Sequence, residues 1–165
     1  MFDPLADFVK IERTQGSKAA LDYLDQKEQQ TSDPELLHHV RVARIMHLHS
    51  EGRYDDAIDA TRAFLPEISC KTAAYMEIAL ALYRKGDLKG AETELAHAPL
   101  DAERERYAPF VFEAEFFRLY LRNQRGISAS PEELAVFPPD YKQVTDRGLR
   151  HGLEVLGPDF RGMEY

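Results

Sequence analysis

Glu51-Gly52-Arg53-Tyr54-Asp55-Asp56-Ala57-Ile58 and Lys85-Gly86-Asp87-Leu88-Lys89-Gly90-Ala91-Glu92 decide how this chain reads. Gly52 and Gly86 stand 34 positions apart, as do Ala57 and Ala91, and Tyr54 and Leu88 share the offset. A recurrence at that spacing, with this punctuation, marks a helix–turn–helix repeat. Each position has a physical reason. Gly52 and Gly86 close a helix where the backbone turns left-handed, which glycine does without a Cβ penalty. Ala57 and Ala91 are small where a second helix crosses close to the first, and a larger side chain would overpack at about 1–3 kcal/mol. Tyr54 and Leu88 cover the turn with apolar surface.

Working outward, residues Thr72 to Lys85 read as a helix with two apolar stripes. Tyr75, Ile78, Ala79 and Leu82 share one face, and Met76, Leu80 and Tyr83 form another about 100° round. A helix apolar on two sides needs two neighbours, or one neighbour and a ligand. Leu88, Ala91, Leu95 and Ala98 give the next helix a single stripe, and Pro99 is expected to stop it.

On these residues the chain resembles the tetratricopeptide repeat family, as two tandem units at 38–66 and 72–99. Tyr75, Ile78, Ala79, Leu82, Gly86, Leu88, Ala91, Leu95 and Ala98 fall where that family places its packing residues. Ile45, Leu48, Gly52, Tyr54, Ala57 and Phe64 do so in the preceding unit. Arg41 and Arg44 depart from the pattern, standing where a bulky aromatic and an aliphatic residue are usual, and Thr61 replaces an aromatic. The resemblance implies an all-α fold: a short right-handed α-solenoid of antiparallel helix pairs, forming one domain over 1–165.

The flanks extend this reading. Residues 3–34 read as a degenerate helical hairpin, broken at Gly16, capped at Asp3 or Asp7 and closed by the Thr31-Ser32-Asp33-Pro34 turn. Residues 101–126 read as a long aromatic helix that Pro109 either starts or kinks. Gly86 and Gly126 are 40 apart, so a third repeat would carry an insertion. A short helix is expected from Pro131, then an extended break at Phe137-Pro138-Pro139. A helix over 140–157, with Tyr141, Val144, Leu149 and Leu153 on one face, is expected to cap the solenoid.

Composition bounds the function. The 165 residues fit one domain, and 44% apolar with 30% charged residues is the balance of a chain that folds. Lys plus Arg number 21 against 29 Asp plus Glu, a formal net charge of −8, which disfavours nucleic-acid binding. No apolar run approaches the roughly 20 residues that span a bilayer. The first residues carry no basic n-region, so no secretion signal is expected. One cysteine, Cys70, excludes an internal disulfide framework and fits a reducing, cytoplasmic compartment.

No nucleophile elbow, phosphate loop, dinucleotide fingerprint or paired-cysteine zinc motif occurs. The expectation is therefore a non-enzyme with no catalytic residues, no cofactor and no metal. Glu35-Leu36-Leu37-His38 and Glu94-Leu95-Ala96-His97 have the Glu-x-x-His spacing of di-iron bundles. The repeat register places them at opposite helix ends, where they do not converge. His38-His39 and His47-x-His49 read as exposed or capping histidines, and Cys70 as an inert loop thiol. The acidic runs Asp55, Asp56, Asp59; Glu103, Glu105; Glu113, Glu115; and Glu132, Glu133 read as solvated faces, or else as a surface for a basic partner.

By the family resemblance, the first helices of successive units line a concave groove. Val42, Met46 and His49 would face it from one unit, Met76, Leu80 and Tyr83 from the next, and Phe110, Ala114 and Phe117 from the long helix. Met46, His49, Met76, Leu80, Tyr83, Phe110 and Phe117 are thus the expected partner-binding residues, with Arg84 and Arg118 fixing register. The groove would take a peptide or partner helix, making the protein an adaptor or scaffold. The competing occupants are the chain's own C-terminal helix, the Phe137 segment, or a second copy in a homodimer. The alternative function is a small acidic antagonist or chaperone of one cognate protein, such as a toxin-immunity protein or secretion chaperone.

Overall fold

The structure, a computed structural model, describes residues 4–135, and these are all-α. Nine helices and no strand occur among the described residues: α1 (Pro4–Gln15), α2 (Ser17–Gln30), α3 (Pro34–Ser50), α4 (Tyr54–Phe64), α5 (Lys71–Arg84), α6 (Leu88–Leu95), α7 (Leu100–Glu103), α8 (Ala108–Gln124) and α9 (Pro131–Ala135). None is long and apolar enough to cross a membrane. The chain divides into two compact units, Met1–Ile68 and a second beginning at Ser69, between the two recurring stretches.

The glycines end their helices as their sequence context requires. Gly52 has φ 70° and Gly86 φ 86°. After α3, the Gly52 N–H donates to the His49 carbonyl at 3.1 Å and the Arg53 N–H to that of Leu48 at 2.9 Å. After α5, Gly86 donates to Tyr83 at 2.8 Å and Asp87 to Leu82 at 2.9 Å. These are the two bonds of a Schellman cap, made at equivalent positions. Gly126, at φ 81°, repeats it after α8: Gly126 donates to Asn123 at 2.9 Å and Ile127 to Arg122 at 3.0 Å. The helices that follow the first two caps start at Tyr54 and Leu88, again 34 apart, and bury Ala57 and Ala91.

In the first unit α1 packs on α2 and α3, α2 on α3, and α3 on α4. Phe8, Ala20, Leu24, Val40 and Ala43 form its main core cluster. Helix α3 starts where the Asp33 carboxylate accepts the Glu35 N–H at 3.0 Å, with Pro34 in the first turn. Arg41 and Arg44 both meet acids. Arg41 reaches Glu28 at 3.1 Å and Glu67 at 2.6 Å, and Arg44 reaches Asp25 at 2.7 Å and Glu28 at 3.2 Å. The Arg41 guanidinium also lies over the Phe64 ring, 4.9 Å from its centroid. Thr61 is buried, its hydroxyl donating to the Ala57 carbonyl at 2.7 Å.

In the second unit α5 packs on α6 and α8, α6 on α8, and α7 on α8. Helix α5 is buried at Thr72, Ala74, Met76, Ile78, Ala79, Leu80 and Ala81, around most of its circumference. Of these, Met76, Ala79 and Leu80 belong to the core cluster of the unit, with Leu82 and Tyr83 packed against it.

Several boundaries differ from the sequence reading. Helix α6 ends at Leu95, because the Ala96–Ala98 backbone tightens into a turn: His97 donates to Glu94 at 3.0 Å and Ala98 to Leu95 at 3.2 Å. Pro99 instead precedes α7. The long aromatic helix is two helices, with a break after Glu103, and Pro109 sits in the first turn of α8, which it starts rather than kinks. Asp7 is no cap; it lies inside α1 and accepts the Tyr23 hydroxyl at 3.3 Å. The expected helix over 140–157, the Phe137 segment and Asp3 lie outside the described residues.

Candidate functional site

The seven expected contact residues fall into both units. Met46 and His49 lie on α3 in the first. Met46 is half-buried, while His49 is buried, its ring 6.2 Å from that of Tyr54. The other five are in the second unit. Met76 (1% exposed), Leu80 (3%) and Phe117 (0%) belong to one core cluster with Ala79, Ala91, Leu95 and Ala114. Tyr83 and Phe110 are half-buried and pack against that cluster. The structure therefore brings five of the seven together, three of them as core.

Two of the α8 rings, Phe117 and Tyr120, form an aromatic trio with Tyr83 of α5. The Tyr83 ring meets Phe117 edge-on at 5.8 Å and Tyr120 edge-on at 5.9 Å, and Phe117 stacks on Tyr120 at 6.4 Å. Such pairs add about 0.5–1.5 kcal/mol each beyond the area they bury. The two hydroxyls of Tyr83 and Tyr120 lie 3.1 Å apart, hydrogen-bonded to each other at the edge of the cluster. Ile127 is the one large apolar side chain classed as exposed among the described residues, at 40%.

Two of the supposed solvated acids are buried instead. Glu103 accepts the backbone N–H groups of Lys71 and Thr72, both at 2.8 Å, and the Cys70 thiol at 3.6 Å. It thus caps α5 from 31 residues downstream of Thr72. Burial pushes its carboxyl up, but the N–H groups of Thr72 and Lys71 outweigh this and hold it below the usual range. Glu115 is buried against Arg104 at 2.6 Å, which in turn holds the guanidinium in its charged form. Asp55, Asp56, Asp59, Glu105 and Glu132 are exposed as expected. On α9, Ser130 and Arg122 both bond to Glu133 and hold its carboxyl low.

Cys70 is a free thiol in the loop between α4 and α5, as expected. It is buried directly before α5, and burial, reinforced by the Glu103 carboxylate, pushes it up to about 11. The two Glu-x-x-His motifs lie in different units. His97 and Glu94 are 4.0 Å apart at the end of α6. His38, in the second turn of α3, packs against His39 and Phe64, and burial with the neighbouring His39 lowers its pKa.

One cluster was not legible as a site. Glu12 on α1, His47 on α3 and Glu51 at the α3 C-cap present ligand-type atoms all within 4.8 Å of one another. His47 is buried, with Nδ1 2.7 Å from Glu12 Oε1 and Nε2 2.8 Å from Ser17 Oγ. Sequence offers only half of this signal: residues 47 and 51 share a helix face at i, i+4 spacing, whereas Glu12 is 35 positions away.

Comparison with protein-family models, curated proteins and solved structures finds no match to this chain.

Proposed function

We propose that this chain is a non-enzymatic protein-binding module of tetratricopeptide type, a short right-handed α-solenoid whose partner is another protein or a peptide. The observation that carries the reading is the recurrence of one Schellman cap at Gly52 and Gly86, followed by helices that start 34 residues apart and bury an alanine at the same position. Helix pairs that recur in this way stack side by side and build extended surfaces for partners. With Met76, Leu80 and Phe117 in the core, apolar contact in the second unit falls to the half-buried Tyr83 and Phe110. Aromatic residues of this kind are the usual hot spots, costing about 2 kcal/mol or more on truncation.

The net charge of −8 favours a second reading, an acidic antagonist or chaperone of one basic protein. Salt separates the two, because steering by surface charge weakens steeply with ionic strength while apolar contact does not. The test is copurification of a stoichiometric partner with the wild type and with Tyr83→Glu and Phe110→Glu variants whose helicity is unchanged. Loss of the partner in the variants, with salt-insensitive binding in the wild type, supports the apolar reading. Retention by both variants, with binding lost at high salt, replaces it with the acidic one.

A further inference from the structure

We propose that Glu12, His47 and Glu51 form a site for one first-row divalent transition-metal ion of the Zn2+ class. One imidazole and two carboxylates are a donor set that such ions accept, with the remaining positions open to water. The three ligand atoms already lie within 4.8 Å of one another, so small side-chain movements bring them round one ion. Three features of the fold prepare them.

The first is orientation. The His47 side chain is 0% exposed, and Phe8 meets its ring edge-on at 5.4 Å. Ser17 Oγ stands 2.8 Å from Nε2. With a metal in place of the proton between Nδ1 and Oε1, Nε2–H can donate to the Ser17 hydroxyl and hold the ring, the outer-shell arrangement that ligating histidines commonly have. Nδ1 faces Glu12 Oε1 at 2.7 Å.

The second is the helix end. The Glu51 N–H donates to the His47 carbonyl at 3.0 Å, so the last turn of α3 sets residues 47 and 51 one above the other. Gly52 then turns the chain away. Glu51 is exposed while His47 is buried, so the cluster runs from the surface inward.

The third is charge. Two carboxylates converge on one histidine, and among the described residues neither is ion-paired to a lysine or arginine. Even with His47 protonated the cluster carries a net negative charge. A divalent cation neutralises it, and the proton between Nδ1 and Oε1 leaves Nδ1 as the metal binds, to Nε2 from a neutral ring or to the buffer from an imidazolium. The bound ion would tie α1 to the end of α3.

The experiment is calorimetric titration of the metal-stripped full chain with Zn2+, alongside melting curves, for the wild type, Glu51→Gln and Glu12→Gln. Glu51 is exposed and its side chain caps nothing, so its variant tests the site without disturbing the core. The expected result is one saturable ion per chain in the wild type, a melting temperature that rises with Zn2+, and at least tenfold weaker binding in each variant. Absence of saturable binding in the wild type would overturn the proposal. So would wild-type affinity in Glu51→Gln, which would assign the zinc to other histidines.

Discussion

The Glu103 carboxylate accepts the Thr72 backbone N–H at 2.8 Å, so α5 is capped by a residue that belongs to a different helix. The first N–H groups of a helix have no partner within it. Here a tertiary contact supplies one, and it ties the start of α5 to the segment ahead of α8. Glu103→Ala is expected to cost about 1–3 kcal/mol, the range for leaving buried donors unsatisfied. Chemical denaturation of the two proteins side by side checks this, and equal midpoints would contradict it.

The same contact predicts a pH dependence. The Glu103 carboxyl is held below its ordinary value in the folded chain, burial being outweighed by the N–H groups it accepts. A depressed carboxylate contributes stability that is fully present above the unfolded value, near about 4.3, and is lost as pH falls through the folded value. The stability gap between wild type and Glu103→Ala should therefore be widest near neutrality and shrink under acid. A gap constant from pH 7 to pH 3 would contradict this.

Cys70 should be a slow thiol. With its pKa pushed up to about 11, chiefly by burial, roughly one molecule in a thousand is thiolate at pH 8. Reaction with a thiol reagent at pH 8 is expected to be slow in the native chain and fast in denaturant. Immediate labelling of the folded protein would contradict the placement of Cys70.

Gly86 carries φ 86°, and a Cβ built there meets nothing within 4 Å. The cost of substitution is then conformational rather than steric. Gly86→Val should lose more than about 1 kcal/mol, the scale of placing an L-residue in the left-handed region. Gly86→Asn should lose less, because asparagine visits that region more readily. Thermal melts of both variants test the order; equal losses would point to a contact at this position rather than to backbone strain.

Phe117 and Leu80 test where the core ends. Both are buried within the second unit, so Phe117→Ala should destabilise by about 3–5 kcal/mol and Leu80→Ala by about 2–5 kcal/mol. Variants that fold with wild-type stability would return these side chains to the surface.

The backbone plan was legible because its signals are local. Glycine at a left-handed turn, alanine at a close crossing and proline in a first turn each act through their own residue. That is why Gly52, Gly86, Asp33-Pro34 and Pro109 mark boundaries that the helices keep. Side-chain destinations depend on residues far along the chain. Glu103 reads as a solvated acid until α5 is placed beside it, and Met76 and Leu80 read as a lining until α8 packs over them. Arg41 and Arg44 look like departures from a packing pattern until Asp25, Glu28 and Glu67 are seen to meet them. The Glu12–His47–Glu51 cluster needs α1 beside the end of α3 before it exists.

The most direct test of the repeat architecture is backbone NMR, with assigned chemical shifts and nuclear Overhauser contacts for residues 34–124. The expected result is helices that end at Ser50 and Arg84 and resume at Tyr54 and Leu88, positive φ at both Gly52 and Gly86, and contacts from the Ala91 methyl to α5. A continuous helix through either glycine, or an Ala91 methyl with no α5 neighbour, would contradict it.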